Sequence, residues 1–271
     1  MNELVIEAGR GEREYWKDLW RYRELLYFLA WRDLLVRYKQ TAVGVAWALV
    51  RPLSTMAILT VFARVANLPS AGVPQALLVF CGMLPWQFFS TAVSETGNSL
   101  VGNSNLIAKI YFPRLVVPAS TVIVSLVDFG ISAIFLVGLM IWYHFVPSAH
   151  VWVLPVFVLL TFAAAFGAGL WVAALMVEYR DFRHIIPFAM QFGLYISPVA
   201  YLTVLVPERW RLAYSLNPMV GVIDGFRWSL LGRENSLDWR RLTMCCVVTS
   251  ILLVSGLWYF RKTERSFADV I

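Results

Sequence analysis

The charges of this chain are confined to short segments, and the uncharged runs between them are long enough to cross a membrane. Residues 151–177, 185–206 and 242–260 contain no Asp, Glu, Lys or Arg. A helix crossing a hydrocarbon layer of roughly 30 Å needs about 20 predominantly apolar residues, and each run reaches about that length. Only 15% of the 271 residues are charged and 59% are hydrophobic, whereas soluble domains carry about a quarter charged residues. A soluble globular fold is therefore excluded, and an all-α integral membrane protein is expected.

Six transmembrane helices are predicted, near 43–66, 74–94, 115–143, 151–177, 185–206 and 242–260. The first contains Arg51-Pro52, which should kink it near its inner end and let Arg51 reach toward headgroups. The third holds Asp128, which is costly in lipid and so is expected to face the bundle interior. The fourth places Ala165, Gly169 and Ala173 four residues apart, a spacing that lets two helices approach closely. Cys81, Cys245 and Cys246 all fall inside apolar runs with no ligand-like spacing, so buried thiols are expected and no metal site.

Residues 1–42 do not form a span, and their first apolar residues are interrupted by charge, which argues against a cleavable signal peptide. Trp16, Leu19, Trp20, Tyr27, Ala30, Trp31, Leu34 and Tyr38 recur at helical spacing with Lys17, Arg21, Arg23, Arg32 and Arg37 between them. That pattern suits a cytoplasmic amphipathic segment lying in the headgroup plane, followed by a six-helix transmembrane domain over 43–271. A helix packed on a soluble partner is the competing reading of the same pattern.

Orientation follows from Lys and Arg in the loops. With a cytoplasmic N-terminus, eight precede residue 43, two lie in 97–114, two in 178–186 and three in 261–271, against none in 67–73 or 144–150. Both termini are therefore expected to be cytoplasmic. One segment dissents: 207–241 should be external, yet carries Arg209, Arg211, Arg227, Arg233, Arg240 and Arg241. Its approach is punctuated by Gly193, Pro198 and Pro207, and Asn217-Pro218 precedes another partly apolar stretch. Apolar, broken and returning to the same side, it reads as re-entrant helices before the last span. Such backbone is tolerated only where protein or a water-filled cavity covers it.

The sequence offers no chemistry of its own. A phosphate-cradling G-x-x-x-x-G-K-S/T is absent, so nucleotide hydrolysis would have to come from a partner. H-E-x-x-H and D-x-D are absent, His144, His150 and His184 are scattered, and Asp181 with His184 reads as a solvated loop. No catalytic, cofactor-binding or metal-ligating residue is assigned, and no nucleic-acid partner: the net charge of +6 is spread around spans, where it sets topology and meets anionic headgroups.

Two inner loops stand out. In 97–114, Leu106, Ile107, Ile110 and Tyr111 fall at helical spacing beside Lys109 and Arg114, with Pro113 ending the turn. Two readings of it stand together: a knob presented to a soluble partner's groove, and a plain connecting helix. In the second, Tyr179, Arg180 and Asp181 lie beneath the longest spans. Aromatics make up 15% of the chain. Most suit interface anchoring, while Trp86 and Phe89 in span two and Tyr195 and Tyr201 in span five are candidates to line a conduit.

These residues resemble a known family. The run RYKQTAVGVAWALVRP over 37–52 is similar to the entry to the first span in permeases of polysaccharide-exporting ABC transporters. These are the subunits that export lipid-linked O antigen, capsule or teichoic acid. Further echoes are Leu84-Pro85-Trp86, residues 105–113, Tyr179-Arg180-Asp181, Ser197-Pro198 and Asn217-Pro218, in order along nearly the whole chain.

The resemblance implies a homodimeric channel in the bacterial inner membrane above two separate cytoplasmic ATPase subunits, which would hold the ATP and magnesium. It makes Leu106, Ile107, Ile110 and Tyr111 the ATPase-coupling contact. Arg37, Tyr38 and Lys39, with Tyr179, Arg180 and Asp181, would border the cytoplasmic entrance. The cargo it implies is a lipid-linked polysaccharide, closest to O antigen. Rival readings are a permease of the same fold for a drug or small lipid, and a membrane glycosyltransferase or scaffold.

Overall fold

A computed structural model describes residues 12–39, 44–232, 238–264 and 267. Among them every regular element is helical. In order these are α1 (Glu12–Arg21), α2 (Arg23–Lys39), α3 (Gly44–Val65), α4 (Gln75–Gly102), α5 (Ser104–Lys109), α6 (Val116–Trp142), α7 (Leu154–Glu178), α8 (Phe182–Ile196), α9 (Glu208–Tyr214), α10 (Pro218–Leu231) and α11 (Trp239–Thr263). Residues 40–43 of the motif quoted above, Arg233 and the side chain of Arg51 lie outside the described residues.

Four helices are long and apolar enough to cross a membrane: α4, α6, α7 with its lead-in turn, and α11. They match the second, third, fourth and sixth expected spans. The other two differ in extent. Helix α3 runs unbroken through Pro52, but its described apolar stretch is only Pro52–Val65. Helix α8 stops at Ile196, ten residues before the predicted end of the fifth span. The cause is local: Ser197 precedes Pro198 and takes φ −76°, ψ 151°, the extended geometry that proline imposes on its predecessor.

Helix α4 is the axis of the bundle. In its most apolar window 83% of residues are buried, against 17% for α11, which faces outward. It also overshoots its expected end and runs on to Gly102. At 1.5 Å per residue, its 28 residues span about 42 Å, and its last turn and α5 remain packed, through Leu100 and Ile107, against α7 and α11.

Helix α7 packs against α4 and α11 through small residues, as its four-residue spacing predicted. Ala165 and Ala173 are fully buried. A Cβ on Gly169 would lie 2.8 Å from Thr96 Cβ. A second crossing was not anticipated: a Cβ on Gly256 of α11 would fall 2.3 Å from the Gly167 carbonyl oxygen. Between helices in lipid, where the hydrophobic effect gives little net drive, such backbone proximity is a main source of association.

The apolar core is divided into two. The larger runs through α4, α6, α7 and α10. The smaller gathers Leu29, Leu100, Ile107, Phe112, Leu115, Phe260 and Phe267 at the opposite end of the bundle. These poles are called the α10 end and the α5 end below.

Candidate coupling and entrance surfaces

At the α5 end, helix α5 is one and a half turns long and stops where Ile110 becomes extended (φ −131°, ψ 132°). This brief element divides the four predicted coupling residues. Ile107 is 7% exposed and belongs to the smaller core, and Leu106 is half-buried against it. Ile110 and Tyr111 are 55% and 62% exposed, with Lys109 beside them also exposed. The loop therefore has a rooted side and a presented side.

The root is tied to both terminal regions. Arg32 of α2 donates to Asn103 Oδ1 at 2.9 Å, and the Tyr22 hydroxyl donates to the Tyr111 carbonyl at 3.4 Å. Just past α11, Glu264 accepts from the Tyr15 hydroxyl at 3.1 Å and from the Arg114 amide at 3.4 Å. The Arg114 guanidinium also donates to the Glu264 carbonyl oxygen. The Arg261 guanidinium lies 3.6 Å over the Tyr15 ring. Burial raises the Glu264 carboxyl above its ordinary value, opposed by the hydrogen bonds from Tyr15 and Arg114 and by the nearby cations.

The six predicted entrance residues fall into two separate groups. Arg37 bridges two spans, donating to Glu95 of α4 at 2.8 Å and pairing with Asp128 of α6. The Tyr38 hydroxyl donates to the same Asp128 carboxylate, and burial followed by this carboxylate raises the Tyr38 hydroxyl's pKa. Asp128, expected to face the bundle interior, is thus met by the end of α2, with 24% of its side chain exposed. Lys39 is exposed.

Tyr179, Arg180 and Asp181 lie in the turn between α7 and α8, all exposed. Arg180 lines a cleft of about 410 Å³ together with Arg183, His184, Ser104, Val101, Met176 and Val177. Arg183 and His184 were not read as site residues from sequence. Their spacing of three and four from Arg180 was the available signal.

The aromatics proposed for a conduit divide in the same manner. Trp86 and Phe89 are 6% and 8% exposed, inside the larger core. Helix α8 lies directly on Trp86 because Gly193 has no side chain there: a Cβ would sit 2.4 Å from the indole. Tyr195 is 62% exposed. Tyr201 is half-buried, its hydroxyl 2.8 Å from the Ile196 carbonyl and 2.9 Å from the Tyr214 hydroxyl.

At the α10 end three of the six dissenting arginines, Arg211, Arg227 and Arg241, are used internally, while Arg209 and Arg240 are exposed. Arg227 is fully buried and donates to the carbonyls of Val199 at 2.8 Å, Tyr201 at 2.9 Å and Leu78 at 3.5 Å. Gly82 makes room for it, since a Cβ there would lie 2.8 Å from its Nη2. Arg211 donates to the Val206 carbonyl at 2.9 Å and pairs with Glu208 at 3.2 Å. Arg241 joins Asp224 at 3.4 Å and Asp238 at 3.1 Å, and Asp224 also accepts from Thr203 at 2.6 Å. Asn217, at the start of α10, donates to Ser197 at 2.9 Å, while the Leu230 carbonyl near its end receives Ser148 N–H. Helix α10 therefore runs from the end of α8 to the α6–α7 connection.

Comparison with known proteins bears on this arrangement. Residues 24–231 match the family profile described as ABC-2 type transporter. The chain is 28% identical over 260 residues to the O-antigen export system permease protein RfbA of Myxococcus xanthus, covering 94% of this chain and 98% of that one. It is 25% identical to the protein of that name from Klebsiella pneumoniae, covering 92% and 95%. A shorter match, 31% identical over 43% of this chain and 47% of the other, is to the inner membrane transport permease YadH of Escherichia coli K12.

Proposed function

The chain belongs to the ABC-2 type transporter family, and from that premise we propose that it is the channel-forming permease of an ATP-driven exporter of lipid-linked polysaccharide, of the O-antigen kind, in the bacterial inner membrane. The observation that carries the cargo is similarity, over 92–94% of this chain, to proteins named as O-antigen export permeases.

On this reading α3 and α8 complete a set of six crossings with both termini cytoplasmic, and α9 with α10 forms the re-entrant pair. Two copies enclose the channel, and two ATPase subunits dock beneath them, holding ATP and magnesium. Ile110 and Tyr111 enter a groove on the ATPase. Because Ile107 and Leu106 root the same segment in the smaller core, displacement of its tip passes to α4 and α6 as movement of rigid bodies. Arg37, Tyr38 and Lys39 border the entrance from one side and Tyr179, Arg180 and Asp181 from the other. Tyr195 and Tyr201, with Trp86 and Phe89 behind them, border the conduit, where rings can stack on the C–H faces of sugars.

The test is reconstitution of the purified chain with its ATPase in vesicles loaded with lipid-linked glycan. Expected is glycan transfer that requires ATP and both proteins, with no nucleotide binding by this chain alone. ATP-driven movement of a drug or small lipid without glycan transfer would overturn the cargo assignment, and hydrolysis by the pure chain would overturn the division of labour.

A further inference from the structure

Helix α5 cannot hold its own position. It has six residues, well below the length at which a helix is stable alone, and the chain after it is extended from Ile110. Beyond its apolar root, 103–114 is tied by polar contacts to the two terminal regions, and these contacts differ in strength. The Tyr22 hydroxyl reaches the Tyr111 carbonyl at 3.4 Å in an exposed position, where water competes. Arg32 gives Asn103 a 2.9 Å hydrogen bond, but it is partly exposed and shares its guanidinium with Asp33.

The third contact is buried and multiple. Only 16% of the Glu264 side chain is exposed. Its carboxylate accepts from the Tyr15 hydroxyl and the Arg114 amide, and its carbonyl accepts from the Arg114 guanidinium. Arg261 lies 3.9 Å from the same carboxylate while covering the Tyr15 ring. Charge-assisted hydrogen bonds are about twice as strong as neutral ones, so this clasp outweighs the other two contacts.

Both sides of the clasp are braced. Phe267, 2% exposed, meets Phe260 edge-on at 5.5 Å, which fixes the chain beyond Glu264. A displacement of Arg114 is then passed to Tyr15 and not absorbed by a loose tail. Tyr15 belongs to α1, and the helical ladder runs on through the junction with α2: Tyr22 N–H donates to the Asp18 carbonyl at 2.9 Å and Leu26 N–H to the Tyr22 carbonyl at 3.1 Å. At 1.5 Å per residue the path along this strut from Tyr15 to Arg37 is about 33 Å. At its far end Arg37 pairs with Glu95 and with Asp128, near the middle of α6.

We propose that Glu264 is a positioning residue of the coupling segment, and that the Arg114–Glu264–Tyr15 clasp passes displacement of 103–114 into α1 and α2 and so to the Arg37 ion pairs inside the bundle. That the ATPase moves 103–114 rests on the function proposed above. A clasp that only supported the fold would hold 103–114 in place without making α1 and α2 respond to nucleotide.

The experiment uses the full chain with its ATPase in nanodiscs. Amide hydrogen exchange is read over 15–39 and 103–115 with and without non-hydrolysable ATP, and glycan exported per ATP hydrolysed is measured on the same preparations. In the unaltered complex both stretches should change on nucleotide binding. In Glu264→Ala the change over 103–115 should persist and that over 15–39 should vanish. Export per ATP should fall about fivefold or more, the lower range of coupling between sites. Tyr15→Phe removes one hydroxyl, leaves the ring beneath Arg261 and should act in the same direction more weakly, which keeps the test open if Glu264→Ala fails to fold. Glu264→Gln, which keeps an acceptor, should restore both readouts. Tyr15→Phe should add nothing on top of Glu264→Ala, since both remove one shared bond.

A response over 15–39 that survives in Glu264→Ala and Tyr15→Phe would overturn the proposal. So would loss of the 103–115 response together with it, because the clasp would then only support the fold. An unaltered complex in which 103–115 responds and 15–39 does not removes this link alone. One in which 103–115 does not respond removes the ATPase contact, and the link with it. The expected exchange pattern without glycan export removes the cargo assignment alone.

Discussion

Both ends of the bundle tie arginines into the fold, and at the α5 end two further arginines line a cleft. At the α10 end Arg227, Arg211 and Arg241 donate to carbonyls and carboxylates of the same unit, with Arg227 Nε alone of its nitrogens left buried and unpartnered. At the α5 end Arg180 and Arg183 line an open cleft, and Ile110 and Tyr111 stand exposed beside a rooted helix. The chain breaks repeatedly between α8 and α10, at Pro198, Pro207 and Pro218, and each break frees backbone acceptors that water cannot satisfy inside a packed unit. A guanidinium carries five donors on one rigid fork. The α10 end thereby satisfies its broken backbone from within, while the α5 end keeps the side chains of its cleft and loop available for something outside the chain.

This contrast breaks most visibly at Arg227. Its replacement by Ala orphans the Val199 and Tyr201 carbonyls and opens a cavity, which should destabilise the protein by about 4 kcal/mol or more. Arg183→Gln should change stability by less than about 0.5 kcal/mol. Thermal unfolding in detergent checks both. Equal losses would mean that the two ends are not differently built.

Aromatic truncation sharpens the same distinction within the proposed conduit. Trp86→Ala, inside the larger core, should lose about 3–5 kcal/mol, whereas Tyr195→Ala should stay within about 0.5 kcal/mol and instead slow glycan export at matched protein level. Tyr201→Ala should fall between, since its hydroxyl has partners to lose.

A somewhat smaller effect separates the faces of α5. Ile107→Asp puts a charge into the smaller core and should cost about 3 kcal/mol. Ile110→Asp with Tyr111→Asp should leave unfolding unchanged and abolish transport-coupled ATPase activity, since a charge is costly in a desolvated groove. Normal complex formation and transport in that double variant would make the segment a connector only.

The smallest effect concerns Glu264. Its carboxyl is raised in the folded state, so its stabilising contribution is full below the ordinary carboxyl range and declines as pH rises through the raised value. Glu264→Gln should flatten that part of the stability–pH profile while retaining acceptors for Tyr15 and Arg114.

Much of this contrast was open to sequence reading, and the limit is physical. Charge segregation located α4, α6, α7 and α11, and the Ala165–Gly169–Ala173 spacing identified the crossing face of α7. The 97–114 segment was singled out, but its partition was not, because which of Leu106, Ile107, Ile110 and Tyr111 turns inward depends on helix rotation. The arginines of 207–241 appeared as a violation of topology counting, since a count assigns every arginine to solvent or headgroups. Arg227 reaches carbonyls of residues 78 and 199, contacts that only tertiary folding creates. The Arg37–Asp128 pair likewise joins residues far apart in the chain. Pro198 did carry a local signal for the early end of α8 that the apolar run masked.

The most direct test of a closed α10 end opposed to a responsive α5 end is amide hydrogen exchange on the permease–ATPase complex in nanodiscs, with and without non-hydrolysable ATP. Exchange over 103–115 and 179–184 should slow on nucleotide binding, while 218–231 stays equally protected in both states. Protection changing across 218–231 with 103–115 unaffected would contradict the assignment.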